Sequence, residues 1–410
     1  MHIDVNNAFL SFTAVEMLKN GHYDIRKEVS VIGGDETKRR GIVLAKSIYA
    51  KKLGIVTGET LYSARKKYRD LKVYPPNHEL YKKMSNALFS YIKRITSDIE
   101  QVSVDECFLD YGKVKNLYGD ELVFAHKLKN TIYKKFGFTV NIGIANNKLC
   151  AKMASDFEKP NKVHTLYNNE ISKKMWPLPI GDLYGVGKSS QEKMIKLGIN
   201  TIYDLAHSSK EVLYPYFKNQ SKYLIDIANG IDNSEVISDI SDPKCISTTN
   251  TLLYDYDDIT EINKELKLIS IKLGSELKEK NKYANTIAII VKDKYFKTTS
   301  KQKKLDNATN SSDTIYEVSK KLFKEHWDLT PVRLIGIRLD ALSDTNDYQI
   351  SLFEDIDAKI NDEKINKTIE ELRNKFGNKI IKSSYFFVFV GLSNKKNTNL
   401  LNLYFFYKYL

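Results

Sequence analysis

The sequence predicts an α+β chain whose 410 residues suffice for roughly two to four domains. Three observations carry that prediction. Short apolar strands alternate with helical patterns from His2 to about residue 165. Two short helical segments flank Gly185-Val186-Gly187. From Cys245 onward a strand–helix–strand–strand–helix–strand order follows a polar linker. The first block is organised around Gln101–Asp110, QVSVDECFLD, an apolar run with adjacent carboxylates, Asp105 and Glu106, in its middle. A regular strand sends neighbouring side chains to opposite faces. For both to serve one site the chain must turn there, so a hairpin tip is expected.

Composition narrows the partners. A formal net charge of +13 points to a nucleic acid or an anionic surface. Three distant cysteines, Cys107, Cys150 and Cys245, form no CxxC, which excludes a disulfide framework and a zinc finger and fits a reducing cytoplasm. The opening MHIDVNNAFL has no signal-peptide pattern, and no run reaches the roughly 20 apolar residues of a membrane span.

In chain order, His2–Val5 reads as a strand, with Asn6 or Asn7 capping the next helix. Leu10, Ala14, Met17 and Leu18 make that helix's core stripe. Phe9 and Phe12 fall off it, and spacing alone makes Phe9 a second core contact. Residues 28–76 carry strand, turn and helix signals. Gly33-Gly34 is a turn and not a phosphate loop, because no lysine and Ser/Thr follow. Lys46, Lys51 and Lys52 are candidate triphosphate contacts, although for any one of them alone a solvated lysine face is the favoured reading. After Pro75-Pro76, a helix runs through Tyr81, Leu88, Tyr91 and Ile95. A helix over Leu122–Phe136, the strand TVNIGIA (139–145) and the helix NKLCAKMAS follow.

Gly185-Val186-Gly187, with Ser189 or Ser190 as cap, reads as a helix-hairpin-helix whose backbone approaches duplex phosphates without reading sequence. In the last sheet Cys245–Leu253, Thr286–Val291, Tyr295–Thr299 and Val332–Leu339 are expected strands. One helix carries Ile262, Leu266, Ile269, Leu273 and Leu277, and a second covers about Thr314–Trp327. Lys292, Lys294, Lys297, Lys301, Lys303 and Lys304 cluster on and beyond the hairpin, placed to follow a phosphate backbone or to guard a sheet edge. Gln349-Ile-Ser-Leu-Phe353 has one polar and two apolar anchors suited to an apolar pocket. Residues 358–376 look helical, and the chain ends in two aromatic clusters.

Asp4, Asp105 and Glu106 are hard oxygen donors that could hold two divalent ions roughly 3.5–4 Å apart. The order HIDVNNAF, GIVLAKSIYAKKLGI, SVDECFLD, AKMASDFEKPNK, LYGVGKSSQEKMIKLGI resembles the Y-family DNA polymerases, the lesion-bypass enzymes, in register from residue 2 to about 376.

The resemblance implies a right hand with a palm (1–10 and 77–165), small fingers (11–76) and a helix-hairpin-helix thumb (166–233). A linker (234–244), a βαββαβ little finger (245–342) and a tail (343–410) with a clamp-binding peptide follow. It implies two Mg2+ ions on Asp4, Asp105, Glu106 and the Val5 carbonyl. The nucleotide would meet Asn7, Ala8, Phe9, Ser47, Lys51 and Lys159, with Phe9 as steric gate against a 2′-OH, which replaces the core reading of that residue. Gly185, Gly187, Lys188, Lys292 and Lys297 would meet DNA, and Gln349, Leu352 and Phe353 a sliding clamp. The implied activity is low-fidelity, DNA-templated addition of dNTPs to a primer by a monomeric cytoplasmic enzyme. Its partners are primer-template DNA, dNTP and clamp, with no membrane. Two departures stand out: Lys51 replaces an arginine of the family segment, with Ile48 where a tyrosine is usual, and Asn6 replaces a frequent aspartate. A lysine lacks the bidentate fork of an arginine. A non-catalytic DNA-binding protein on a decayed scaffold, and another palm-fold nucleotidyltransferase or cyclase, are the rival readings.

Overall fold

The computed structural model describes residues 1–39, 41–238, 242–345, 368, 381–383 and 388–390. The first part runs β1 (His2–Val5), α1 (Ala8–Lys19), β2 (Ser30–Gly33), β3 (Val43–Lys46), α2 (Ile48–Lys52), α3 (Leu61–Lys67), β4 (Lys72–Tyr74) and α4 (His78–Ile92). It continues through β5 (Ile99–Gln101), β6 (Glu106–Leu109), α5 (Lys115–Tyr118), α6 (Glu121–Phe136), β7 (Val140–Ala145), α7 (Lys148–Asp156) and β8 (Val163–Leu166). One sheet has the order β5-β6-β1-β7-β8, and a smaller one β3-β2-β4. β1 is buried along its whole length because it is the central strand, flanked by β6 and β7, both antiparallel to it.

Helix α1 corrects the single-stripe expectation. Leu10 and Ala14 pack with Ile25, Ile32 and Ala45, while Phe12 and Val15 enter the larger core on another face. Leu18 is 43% exposed and lies outside both. A helix packed between the β3-β2-β4 sheet and α4 needs two apolar faces, and a one-stripe pattern describes a helix with one. Neither asparagine caps it by side chain. Asn7 stands at the N-cap with φ +52° and donates to the Lys46 carbonyl, while Asn6 is turned inward.

The next region has α8 (Ile171–Lys174), α9 (Lys188–Lys196), α10 (Ile202–Ala206), α11 (Lys210–Phe217) and α12 (Gln220–Ala228), packed around Met175, Met194, Ile202, Leu205 and Leu213. The expected first helix of the hairpin is only a 3-10 turn, Ile180–Asp182. The N-cap of α9 is Gly187, so Ser189 and Ser190 lie inside the helix rather than capping it.

The last sheet holds β9 (Cys245–Tyr256), β10 (Tyr283–Asp293), β11 (Thr298–Thr309) and β12 (Val332–Ser343) in the order β11-β10-β12-β9, all antiparallel. Helices α13 (Ile259–Glu279) and α14 (Ser312–His326) are the two helices of this block. Ile262, Leu266, Ile269, Leu273 and Leu277 are all buried, as their spacing predicts. Tyr295 and Phe296 lie in the turn before β11 rather than in the strand. Two short strands, β13 (Ile381–Ser383) and β14 (Val388–Val390), pair with each other. The QISLF peptide, most of the 358–376 helix reading and the aromatic end apart from Val388–Val390 lie outside the described residues.

Candidate active site

The site forms where β1, the β5–β6 hairpin and α7 meet. Antiparallel pairing sets Asp4 opposite Glu106, and the Val5 amide donates to the Asp105 carbonyl at 3.0 Å. Asp105 sits in the β5–β6 connection, as a shared site requires. Ser103 shapes that tip: its hydroxyl accepts from the amides of Asp105 and Glu106 and donates to Asp105 Oδ1 at 2.6 Å. Asp4 and Glu106 are thus brought together by their side chains, whereas Asp105 joins them through backbone while its carboxylate is held by Ser103.

Two ammonium groups answer these carboxylates. Lys152 Nζ from α7 lies 3.1 Å from Glu106 Oε1 and 3.9 Å from Asp4 Oδ2. Lys159 Nζ binds Asp4 Oδ2 and is 2.8 Å from Asp156 Oδ1. Burial pushes the Asp4 carboxyl up, against the pull of Lys159. Glu106 is held down to about 2, first by His2 and then by Lys152 against its own desolvation. Burial pulls Lys159 down, but Asp4 and Asp156 outweigh it and its pKa ends above the ordinary value.

Several organising residues escaped the sequence reading. His2 is fully buried, with Nδ1 2.8 Å from Ser155 Oγ and Nε2 3.3 Å from Glu106 Oε2. Asn141 is fully buried too. Its amide donates to the carbonyls of Ser155 and Glu158 and accepts from Asn6 and the Lys162 amide. Asn6 in turn accepts from the Asn161 amide at 2.8 Å. These two asparagines hold the loop that presents Lys159. The available signal was an amide inside the apolar run TVNIGIA, since a buried polar side chain must find partners.

Phe9 is half-buried and lies flat on Tyr81, ring centroids 4.5 Å apart and planes 9° apart. Ala8 opens α1 and is buried. Lys51 is exposed on α2, and Lys46 is held below its usual pKa by burial and by the Lys51 charge, which makes them a cationic pair. Ser47 is corrected to an internal role. It is 1% exposed, and its hydroxyl accepts from the amides of Ala50 and Ser30, capping α2.

Away from this centre, Gly185 takes φ +94°, and it, Gly187 and Lys188 are exposed. Lys292 is half-buried on β10 and Lys297 is exposed in the following turn. Lys301 leaves the basic cluster, because it pairs with Glu325 at 2.9 Å. Gln349, Leu352 and Phe353 are outside the described residues.

Comparison with known proteins decides the lineage. The impB/mucB/samB family profile matches residues 3–156, its C-terminal domain 243–352, and the IMS family HHH motif 168–199. The chain is 46% identical to DNA polymerase IV of Clostridium acetobutylicum over 93% of its length and 96% of the relative's. The chain belongs to the impB/mucB/samB family, the Y-family DNA polymerases. A second family member, DNA polymerase IV of Oceanobacillus iheyensis, is 32% identical over 93% of this chain and 90% of its own. Among solved structures, a chimera of the Y-family polymerases Dbh and Dpo4 superposes with TM-score 0.72 at 25% identity, covering 83% of this chain and 97% of the other. DinB from Sulfolobus solfataricus gives 0.55 at 26%, with the same coverage. In this Y-family chain the matched 3–156 segment contains Asp4, Asp105 and Glu106, and stops three residues before Lys159.

Proposed function

We infer that this chain is a DNA-templated DNA polymerase that adds dNTPs to a primer 3′-OH and copies damaged templates with low fidelity. The observation that carries the catalytic assignment is the pairing of Asp4 with Glu106 across β1 and β6, with Asp105 bonded to the next residue. Among the described residues no three His, Cys, Asp or Glu side chains are already gathered as a metal site. Yet the donors are oxygens, and the Lys152 ammonium already draws Asp4 and Glu106 around one positive charge. They fit a hard cation. Asp4, Asp105, Glu106 and the Val5 carbonyl would hold two Mg2+ ions, which supply an activated primer hydroxyl and charge neutralisation at the leaving pyrophosphate.

The remaining roles belong to the chain. Lys159 carries a fixed positive charge toward the triphosphate, positioned by the Asn6–Asn161 bond. Lys46 and Lys51 extend that charge from the fingers as point charges without bidentate geometry. The amides of Asn7 and Ala8 begin α1, where free N–H groups favour phosphate. Phe9, backed by Tyr81, fills the space beneath the sugar C2′ and excludes a ribose. The exposed Gly185–Lys188 hairpin, Lys292 and Lys297 follow the duplex backbone. The palm, fingers, thumb and little-finger bounds given above are adopted with this reading. So is a monomeric cytoplasmic enzyme tethered to a sliding clamp through 349–353. Among the described residues no helix is long and apolar enough to cross a membrane.

Extension of a primer on a templated duplex with Mg2+, dependent on template sequence, is the deciding experiment. DNA binding without extension would favour a decayed scaffold, and extension without a template another nucleotidyltransferase. Phe9→Ala is expected to raise ribonucleotide incorporation by about two orders of magnitude, since only a steric clash then ceases to oppose the 2′-OH; unchanged sugar selectivity would remove the gate role. Replacing Leu352 and Phe353 by Ala is expected to lower clamp-stimulated synthesis alone. An equal loss without clamp would assign the peptide to packing.

A further inference from the structure

The turn between β10 and β11 exposes two aromatic rings for which the reading above has no use. Tyr295 is 74% and Phe296 63% exposed, and Leu329, in the loop before β12, is 74% exposed. Phe296 and Leu329 both take φ +67°. Bulky residues rarely adopt that conformation, and where they do the surrounding structure has to impose it. Here it does. Asp293 Oδ1 accepts from the amides of Tyr295 and Lys297, and the Phe296 amide bonds to the Asp293 carbonyl. The Lys294 amide donates to the Pro331 carbonyl at 3.0 Å, joining the turn to the second loop.

The rings are set among cations. Lys294 Nζ lies 5.1 Å from the Tyr295 ring centroid, and the Arg333 guanidinium 4.4 Å from that of Phe296. Aromatic faces held in a fixed turn and ringed by positive charge are the composition that binds single-stranded nucleic acid, by base stacking and phosphate attraction.

Its place in the fold selects the strand. Arg333 also approaches Asp255 at 3.8 Å, and Asp255 accepts from Arg39 of the fingers at 2.6 Å. The platform therefore stands at the end of the last sheet that touches the fingers. Duplex product leaves a polymerase behind the nascent pair, and unpaired template lies ahead of it, on the fingers side. We propose that Tyr295 and Phe296 form a stacking platform for the unpaired template strand before it enters the active site. This rests on the polymerase reading and adds a second, single-strand subsite to it.

The test compares the native chain with a Tyr295→Ser, Phe296→Asn variant. Both residues are exposed, and Asn tolerates positive φ, so the variant keeps its fold. Binding is measured by fluorescence anisotropy to one primer duplex, either flush-ended or with a roughly 10-nucleotide template overhang. The native chain is expected to prefer the overhang, and the variant to lose about tenfold in affinity for it while holding the flush duplex unchanged. A 2-aminopurine in the overhang should be quenched by the native chain and not by the variant. Equal loss on both DNAs, no loss on either, or a loss confined to clamp-stimulated synthesis would overturn the platform. Failure of the native chain to bind either duplex would count against the polymerase reading instead.

Discussion

Glu106→Ala is expected to reduce primer extension at least a thousandfold while leaving duplex binding within about twofold of native. Losing one carboxylate that holds a catalytic cation removes several kcal/mol of transition-state stabilisation. A thousandfold corresponds to about 4 kcal/mol at one decade per ~1.4 kcal/mol. Asp105→Ala should behave alike, because the two acids share the hairpin tip. Glu106→Gln sharpens the experiment by keeping shape and removing charge. It leaves Lys152 with Asp156 at 3.5 Å and the more distant Asp4. Stability should respond to pH as well. The Glu106 carboxyl is lowered from 4.5 to about 2. Its contribution is therefore complete above about 4.5 and fades as pH falls toward 2. The Gln variant should lack that segment of the stability–pH profile. Substantial extension by either alanine variant, in single-turnover assays, would refute the assignment.

Gly143→Ala is expected to cost about 3 kcal/mol or more and to leave little soluble, active protein. Gly143 lies in β7 beneath α7, and a Cβ there would stand 1.9 Å from the Ala151 carbonyl oxygen and 2.6 Å from the Ser155 amide nitrogen. Those are backbone atoms, so no side chain can swing aside; the helix itself must lift. The same helix carries Lys152 and Ser155, the partners of Glu106 and His2. Lifting it would therefore dismantle the charge balance of the site together with the packing. Gly187→Ala is the contrast, because a Cβ there meets nothing within 4 Å. Thermal unfolding should show a drop for Gly143→Ala alone, and a native midpoint for both would contradict the close packing.

Much of this was legible in the residue order. The hairpin at Asp105-Glu106 followed from one requirement, that two adjacent carboxylates serve one site. The βαββαβ block followed from period and punctuation, and its α13 stripe was buried residue for residue. Elements failed where a neighbour overrode the local pattern. Helix α1 was given one face because a periodicity shows one stripe at a time, yet it lies between the small sheet and α4. The serines after Gly187 were offered as caps because they are good cap residues, but the glycine had already taken that place. Ser47 was drawn toward the triphosphate, and its buried hydroxyl instead accepts from the amides of Ser30 and Ala50.

By itself the sequence determined the lineage, and it singled out Asp4, Asp105, Glu106 and Lys159 as candidates, because short-range pattern and residue chemistry are local properties of the chain. Only the tertiary structure decided which groups stand beside those acids. His2, Asn6, Asn141 and Lys152 are separated from their partners by up to 155 residues, and chain distance carries no information about who shares a buried volume. The same holds for the aromatic turn at Tyr295 and Phe296. Its meaning comes from an arginine and an aspartate that only folding brings alongside it.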